Sequence, residues 1–293
     1  MKLYTKNQFL QIIGCSEDIL NKILNNIENY YYEFEELKYN EDKSIKIKKG
    51  VIQKRYYNPS CKELREIQDK IQAKILSTIE LIPNILGGTK GNSNVKNAAI
   101  HKGKKYRFQT DLTNFFPSVS PNMVFNALRR KGISKQVSNL ITKLTTFKTK
   151  DSWREKSLPQ GPPTSPQLSN IVFESIDLKI LNLIENKNIY YTRWIDDLTF
   201  SSNEDFSNIL NNILSLIGRN GLKVSRKKTT YRKNKSVITG VVAGMSSLKV
   251  TNKFRSKENN LLNEYQTAGR KTYKNYVYKM DKSKKLETKI YRS

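Results

Sequence analysis

Asp196 and Asp197 are adjacent carboxylates within Tyr191-Thr192-Arg193-Trp194-Ile195-Asp196-Asp197-Leu198-Thr199-Phe200-Ser201, where aromatic and β-branched residues flank them on both sides. That pattern predicts two short strands joined at the acids, a hairpin with the pair at its tip. Adjacent anions repel, so they add no stability to a turn, although Asp is common in turns for other reasons. A divalent cation would remove the conflict, because carboxylate oxygens suit Mg²⁺. A third acid, Asp111, ends the short strand expected from Tyr106. Three such acids brought together could hold two Mg²⁺ ions, roughly 3.5–4 Å apart in two-metal sites. One ion would lower the pKa of an attacking 3′-hydroxyl, and the other would hold a triphosphate and its leaving pyrophosphate. The chemistry that these residue types suggest is nucleotidyl transfer.

The elements that must position the acids can be read from the periodicity. Tyr106 to Leu112 predicts a strand. Ser120-Pro121 predicts the cap and first residue of a helix closed by Gly132, and Val137, Leu140, Ile141 and Leu144 mark another helix. Ser165-Pro166 open a long helix through Leu168, Ile171, Val172, Ile180 and Ile184. After the acidic hairpin comes a helix through Phe206, Ile209, Leu210, Ile213 and Ile217 that stops at Gly221. Leu222-Lys223-Val224 and Ser236 to Val242 are expected to supply further strands. Strand, helix, hairpin, helix, strand is the split βαβ order of a ferredoxin-like sheet, in which the first strand lies beside the hairpin. Asp111 and Asp196 can therefore converge.

Earlier in the chain, Ser16 is placed to cap a helix carrying Ile19, Leu20, Ile23, Leu24 and Ile27. Ile45 to Tyr57 reads as a basic hairpin turning at Lys48-Lys49-Gly50. Ser60-Cys61-Lys62-Glu63 has the form of a capping box ahead of Leu64, Ile67, Ile71, Ile75 and Ile79. The Gly/Asn/Ser/Lys-rich segment from Gly87 to Lys96 is the expected boundary between lobes.

Composition narrows the partner. The 293 residues carry 53 Lys and Arg against 26 Asp and Glu, a formal charge of +27. An excess of that size opposes compaction unless an anion is bound, and nucleic acid is the leading expectation. The charge is concentrated after Arg219, where Tyr231, Phe254, Tyr265, Tyr273, Tyr276, Tyr278 and Tyr291 interleave with the cations, a pattern suited to phosphate contact and base stacking. Cys15 and Cys61 form no CxxC, and His101 is the sole imidazole, which argues against a zinc site and a disulfide framework. The start Met1-Lys2-Leu3 lacks the apolar run of a signal peptide, and no segment reaches membrane-spanning length, so a cytoplasmic protein with no membrane partner is expected.

Three ordered motifs carry a resemblance. Phe108-Gln109-Thr110-Asp111-Leu112-Thr113-Asn114-Phe115-Phe116-Pro117-Ser118 resembles the first acidic motif of bacterial reverse transcriptases. Leu158-Pro159-Gln160-Gly161-Pro162-Pro163-Thr164-Ser165-Pro166 with Leu168-Ser169-Asn170 resembles their second, and Tyr191 to Ser201 their third. Asn97-Ala98-Ala99-Ile100-His101 and Val237-Ile238-Thr239-Gly240 are similar to two signatures of the retron branch. The resemblance runs from about Lys54 to Val242.

It implies an α+β right-hand polymerase with N-terminal helices and fingers over residues 1–100, a ferredoxin-like palm over 101–245 and a helical basic thumb over 246–293. Asp111 and Asp196 would ligate two Mg²⁺ ions with Asp197 in support. Phe116 would be the steric gate against a 2′-hydroxyl, and Gln160 would touch the incoming nucleotide. Lys228 would protonate or neutralise the departing pyrophosphate, and either Lys54 or Arg55 would hold the triphosphate. Asn97, His101, Thr239 and Gly240 are the signature positions expected to contact RNA, although for His101 a core hydrogen-bonding role is the preferred reading. The implied function is copying of a structured noncoding RNA into branched RNA–DNA (msDNA) from dNTPs in anti-phage defence, with a separate effector protein held in the complex. The alternatives are a defence reverse transcriptase of abortive-infection type and a non-catalytic RNA-binding scaffold. Two departures stand out: Trp194-Ile195 replaces the usual Tyr-Ala, and Pro162 replaces a usual Ala.

Overall fold

A computed structural model describes residues 5–40, 44–48, 50–150, 152–256 and 264–283. Each of its two compact units is built from two stretches of chain: Met1–Glu80 with Asn114–Phe173, and Leu81–Thr113 with Glu174–Ser293. The break after Glu80 differs from the expected boundary at Gly87 to Lys96, where a helix, Asn94–Ile100, already begins inside the predicted loop.

The first unit is mainly helical. Ser16 accepts from the Ile19 amide to start helix Glu17–Asn25, and Ser120 accepts from Met123 with Pro121 in the first turn of Pro121–Arg130. Both caps satisfy amides that have no partner inside the helix. Leu64, Ile67 and Ile71 of helix Lys62–Lys74 are buried, as are Val137, Ile141 and Leu144 of helix Lys135–Thr145. The expected capping box before Lys62 does not form. Cys61 is the cap residue and makes no side-chain capping bond, because the Ser60 hydroxyl is buried and donates to Gln68 Oε1 at 2.6 Å. Gln68 in turn donates to Tyr31 Oη and to the Leu144 carbonyl. The helix ends at Lys74, and Leu76–Thr78 continues as a 3₁₀ turn rather than carrying the helix to Ile79.

Among the described residues of this unit the strands are β1 (Phe34–Leu37), β2 (Ile47–Lys48), β3 (Val51–Ile52) and β4 (Lys54–Tyr57). The expected hairpin is confined to the two-residue strands β2 and β3; β4 leaves it to pair antiparallel with β1. Lys49 of the expected turn lies outside the described residues.

The second unit contains β5 (Tyr106–Asp111), β6 (Tyr190–Trp194), β7 (Asp197–Ser202) and β8 (Thr230–Lys233) in an antiparallel sheet of order β6-β7-β5-β8. This is the ferredoxin-like order, but its edge strand differs from the expected one. Val224 makes only an isolated bridge to Leu112, and Thr230–Lys233 supplies the fourth strand. The segment from Ser236 builds a separate sheet from β9 (Ser236–Ile238), β10 (Val241–Ala243) and β11 (Leu248–Val250). Val95, Ala98, Ile238, Val241, Leu248 and Val277 pack into one core that joins this sheet to helices Asn94–Ile100 and Glu264–Lys282.

Alternation divides the β5–β8 sheet into two faces. Phe108, Tyr191 and Phe200 are buried together on one face, with Tyr191 and Phe200 stacked at 4.6 Å. Burying each phenylalanine contributes about 1.5–3 kcal/mol. Asp111 and Asp197 lie opposite one another on the other face.

Candidate active site

Asp111 ends β5 and Asp197 begins β7, where the two are direct cross-strand partners. Like charges directly opposite destabilise a strand pair, so this register is costly without a cation. Asp196 occupies the two-residue connection between Trp194 and Asp197, which pair across the hairpin. Carboxylate oxygens of Asp111, Asp196 and Asp197 all lie within 4.8 Å of one another.

In an extended strand, adjacent side chains point to opposite faces. Asp196 escapes that rule because Ile195 has φ +56°, which turns the chain before it enters β7. Positive φ suits the twist of a two-residue hairpin, but glycine is the usual residue there. For a β-branched residue the conformation is an outlier, costing about 1–3 kcal/mol.

The surrounding backbone holds this turn. The Leu112 amide donates to the Asp196 carbonyl at 3.0 Å, and the Leu86 amide donates to the Arg193 carbonyl at 2.9 Å. Gly87 lies against the same turn: a Cβ on it would stand 2.5 Å from Ile195 N and 2.7 Å from Trp194 Cα. The Trp194 ring packs with Tyr190 against Leu86 and Ile100.

The electrostatics of the cluster favour a cation beside it. Burial, then the charges of Asp196 and Asp111, push the Asp197 carboxyl up to about 7. Lys228 Nζ donates to Asp111 Oδ2 at 2.6 Å. Partial burial works against the lysine's charge, but Asp111, then Asp197 and Asp196, hold its pKa above the ordinary lysine value. Lys228 ends the 3₁₀ turn Arg226–Lys228, which is tied to β5 by the Ser225 amide donating to the Asp111 carbonyl at 2.7 Å. Three convergent carboxylates with a cationic side chain already drawn to them are a donor set that fits Mg²⁺.

The signature positions form their own group in this unit. Asn97 and His101 are buried, Thr239 is half-buried with φ +44°, and Gly240 is exposed with φ +85°. Asn97 Oδ1 accepts from Thr192 Oγ1 at 2.6 Å, while its amide donates to Thr239 Oγ1 at 3.3 Å. His101 Nε2 meets Thr192 Oγ1 and Nδ1 meets Ser201 Oγ, each at 2.7 Å. The Thr192 proton is committed to Asn97, so His101 carries its own proton on Nε2 and accepts from Ser201 at Nδ1. Burial, then the charges of Arg107 and Lys104, push His101 down to about 3.

The remaining expected residues belong to the first unit. Lys54 is paired with Glu35, while Arg55 is exposed and reaches Tyr57 Oη at 3.4 Å. Phe116 is half-buried, its ring 5.8 Å from that of Phe115. The Gln160 carbonyl accepts from the Asn58 amide at 2.7 Å, and Gly161, at φ +119°, sits where a Cβ would meet Pro59 N at 3.0 Å. The glycine thus permits a close approach of its own chain at Pro59.

Sequence reasoning missed three residues behind the acids. Arg193 and Asp177 are fully buried, with Arg193 Nη2 2.8 Å from Asp177 Oδ2. Tyr191 Oη donates to Asp177 Oδ1 at 2.5 Å. A cation on the apolar face of a strand was the available signal, since a buried charge needs a partner. Gly87, read as loop composition, is the third.

The family model for reverse transcriptase (RNA-dependent DNA polymerase) matches residues 46–243. Among curated proteins, the chain is 32% identical over 190 residues to the Retron Ec86 reverse transcriptase of Escherichia coli, covering 64% of this chain and 57% of that one. It is 25% identical over 232 residues to the Retron Se72 reverse transcriptase of Salmonella heidelberg, covering 76% and 56%. The chain thus spans a little over half the length of these relatives. Among solved structures, apo telomerase from Candida tropicalis matches over 71% of this chain and 42% of that one, at 13% identity and TM-score 0.46. No helix among the described residues is long and apolar enough to cross a membrane. With the family model covering more than half of the sequence, the chain belongs to the reverse transcriptase (RNA-dependent DNA polymerase) family, has its right-hand polymerase fold and is of the retron type.

Proposed function

We propose that the protein is an RNA-directed DNA polymerase that joins dNTPs at the Asp111, Asp196 and Asp197 cluster. The observation that carries this reading is the cross-strand pairing of Asp111 with Asp197, with Asp196 turned into the same cluster. Bound Mg²⁺ would activate the attacking hydroxyl and neutralise the triphosphate. Asp111 and Asp196 are the ligands and Asp197 their support. The new phosphodiester forms as the 3′-hydroxyl attacks the α-phosphorus and the bond to pyrophosphate breaks. Lys228 gives its proton to that leaving group and moves off the carboxylate when metal binds, a reading supported by its contact with Asp111.

Residues 1–100 act as N-terminal helices and fingers, 101–245 as palm and 246–293 as thumb. Lys54 or Arg55 holds the triphosphate, Phe116 excludes a 2′-hydroxyl and Gln160 meets the incoming nucleotide. Asn97 supports the RNA-facing Thr239 and Gly240 through its bond to Thr239, and His101 holds Thr192 and Ser201 of the sheet behind them. The template is a structured noncoding RNA, recognised mostly by shape and backbone; a 2′-hydroxyl of a guanosine in it primes synthesis and leaves branched msDNA. The enzyme works in the cytoplasm in anti-phage defence, with a separate effector protein in the complex. Similarity to retron reverse transcriptases supports the retron assignment on which this part rests.

Nucleic acid extracted from cells carrying the protein and its flanking DNA tests the reading. DNA covalently joined to RNA is expected with the wild type and absent with Asp196→Asn/Asp197→Asn. Equal amounts from both would overturn it.

A further inference from the structure

Behind the acidic turn, on the buried face of the sheet, lies a side-chain network of Arg193, Asp177 and Tyr191. Arg193 on β6 points away from the Asp111 face, as alternation from Trp194 requires. Its Nε lies 3.0 Å from Asp177 Oδ1 and its Nη2 lies 2.8 Å from Asp177 Oδ2, a two-pronged pairing that fixes the plane of the guanidinium. Tyr191, two residues back on the same strand, donates to the same carboxylate. The remaining arm, Nη1, donates to the carbonyl of Ile195 at 2.9 Å. Asp177 stands on helix Ser165–Leu183, so the helix, through one arginine, holds the peptide immediately before Asp196.

That peptide decides where the two acids point. Ile195 has φ +56°, and its conformation takes Asp196 out of strand alternation so that its carboxylate joins Asp197 and Asp111. Left to its own preference, a β-branched residue would leave this region for an extended conformation. The Arg193 bond to the Ile195 carbonyl opposes that change from one side, and the backbone of Gly87 opposes it from the other.

We infer that Arg193, oriented by Asp177 and Tyr191, is the positioning residue for the metal-binding acids: it holds Ile195 in the left-handed conformation that brings Asp196 onto Asp197 and Asp111. The inference rests on the proposed role of the three acids. Arg193 is a positioning residue and not a catalytic one, since it acts through its bond to the Ile195 carbonyl. Lysine cannot replace it, because a single ammonium cannot both fork onto Asp177 and reach the Ile195 carbonyl.

The test is Mn²⁺ binding to the purified chain, followed by electron paramagnetic resonance, alongside the Mg²⁺ dependence of DNA synthesis. Supporting residues around metal ligands typically contribute 10–100-fold in metal affinity. Arg193→Lys is therefore expected to weaken Mn²⁺ binding by about 10-fold or more. It should raise the Mg²⁺ needed for half-maximal synthesis in parallel, leaving the KM for dNTP at saturating Mg²⁺ unchanged. Adding Ile195→Gly, which adopts the left-handed conformation freely, is expected to restore most of the lost affinity. A merely structural arginine would show neither the split nor the rescue.

Should Arg193→Lys fail to fold, Asp177→Asn/Arg193→Gln removes both buried charges and is read in the same way. Unchanged Mn²⁺ affinity in a folded variant, or a loss that Ile195→Gly does not repair, overturns the inference. Failure of the wild type itself to bind Mn²⁺ overturns the metal site as well, and so separates the two readings.

Discussion

The Lys228 ammonium and the Asp111 carboxylate lie 2.6 Å apart, a cation resting on the acid that pairs across the sheet with Asp197. In the proposed mechanism metal and lysine compete for that carboxylate, and the lysine also delivers a proton to the leaving group. Lys228→Met is expected to leave Mn²⁺ binding as tight as in the wild type or tighter. It should lower kcat by about 100-fold, the usual scale for losing a general acid. Titration of Mn²⁺ and single-turnover synthesis check the two halves; weaker binding would show that Lys228 organises the site instead of competing for it.

Gly87 and Gly218 give opposite expectations for the same substitution. At Gly87 a Cβ would lie 2.5 Å from Ile195 N, whereas at Gly218 nothing lies within 4 Å. Gly87→Ala is expected to cost about 1–3 kcal/mol through overpacking and to weaken Mn²⁺ binding by moving the turn. Gly218→Ala, inside helix Leu210–Arg219, is expected to stabilise by up to about 1 kcal/mol. Thermal melts and metal titration of both variants decide it.

His101 stays neutral in the folded protein, with its pKa at about 3 against an ordinary 6.5. Below about 6.5 the unfolded chain takes up a proton that the native state refuses. This group therefore lowers stability as pH falls from about 6.5 towards 3, by about 1.4 kcal/mol per pH unit. Because the chain has a single histidine, its imidazole resonances can be followed without ambiguity. They are expected to stay at their neutral positions from pH 8 to pH 5, with the proton on Nε2; a midpoint near 6.5 would contradict the buried network.

Asn97 bridges the Thr192 hydroxyl to Thr239. Asn97→Ala strands the buried Thr192 donor and is expected to cost about 1–3 kcal/mol. Denaturant unfolding measures that loss, and an unchanged midpoint would remove the structural role given to this signature residue.

How far the sequence revealed this arrangement depended on whether local chemistry or distant packing set each part. The acids were legible because Asp111 closes a strand and the Asp196-Asp197 pair falls where hydrophobic alternation breaks. Ser16, and Ser120 with Pro121, placed their helix starts correctly because a cap is a local bond. Ser60 failed as a cap because Gln68, eight residues on, takes its hydroxyl. The edge strand was misplaced because Leu222-Lys223-Val224 looks more apolar than Thr230–Lys233. The pairing at that edge is set instead by the fit against β5, where Tyr106 and Tyr231 stack at 6.0 Å. Arg193 and Asp177 were overlooked because their pairing joins a strand to the preceding helix, and Gly87 because the turn it lies against is distant in the sequence. Trp194 and Ile195, departures from the usual Tyr-Ala, now have physical roles: the ring packs on Leu86 and Ile100, and the isoleucine takes the strained turn.

The central claim is that the three acids catalyse RNA-templated DNA synthesis. Single-turnover extension of a DNA primer on an RNA template, with dNTPs and Mg²⁺, tests it most directly in the wild type and in Asp196→Asn. The wild type is expected to extend the primer in a Mg²⁺-dependent way, the variant about 1,000-fold more slowly, as when strong transition-state charge stabilisation is lost, and both proteins to bind the primed RNA with equal affinity. Equal rates in the two proteins, or extension by the wild type without divalent metal, would contradict it.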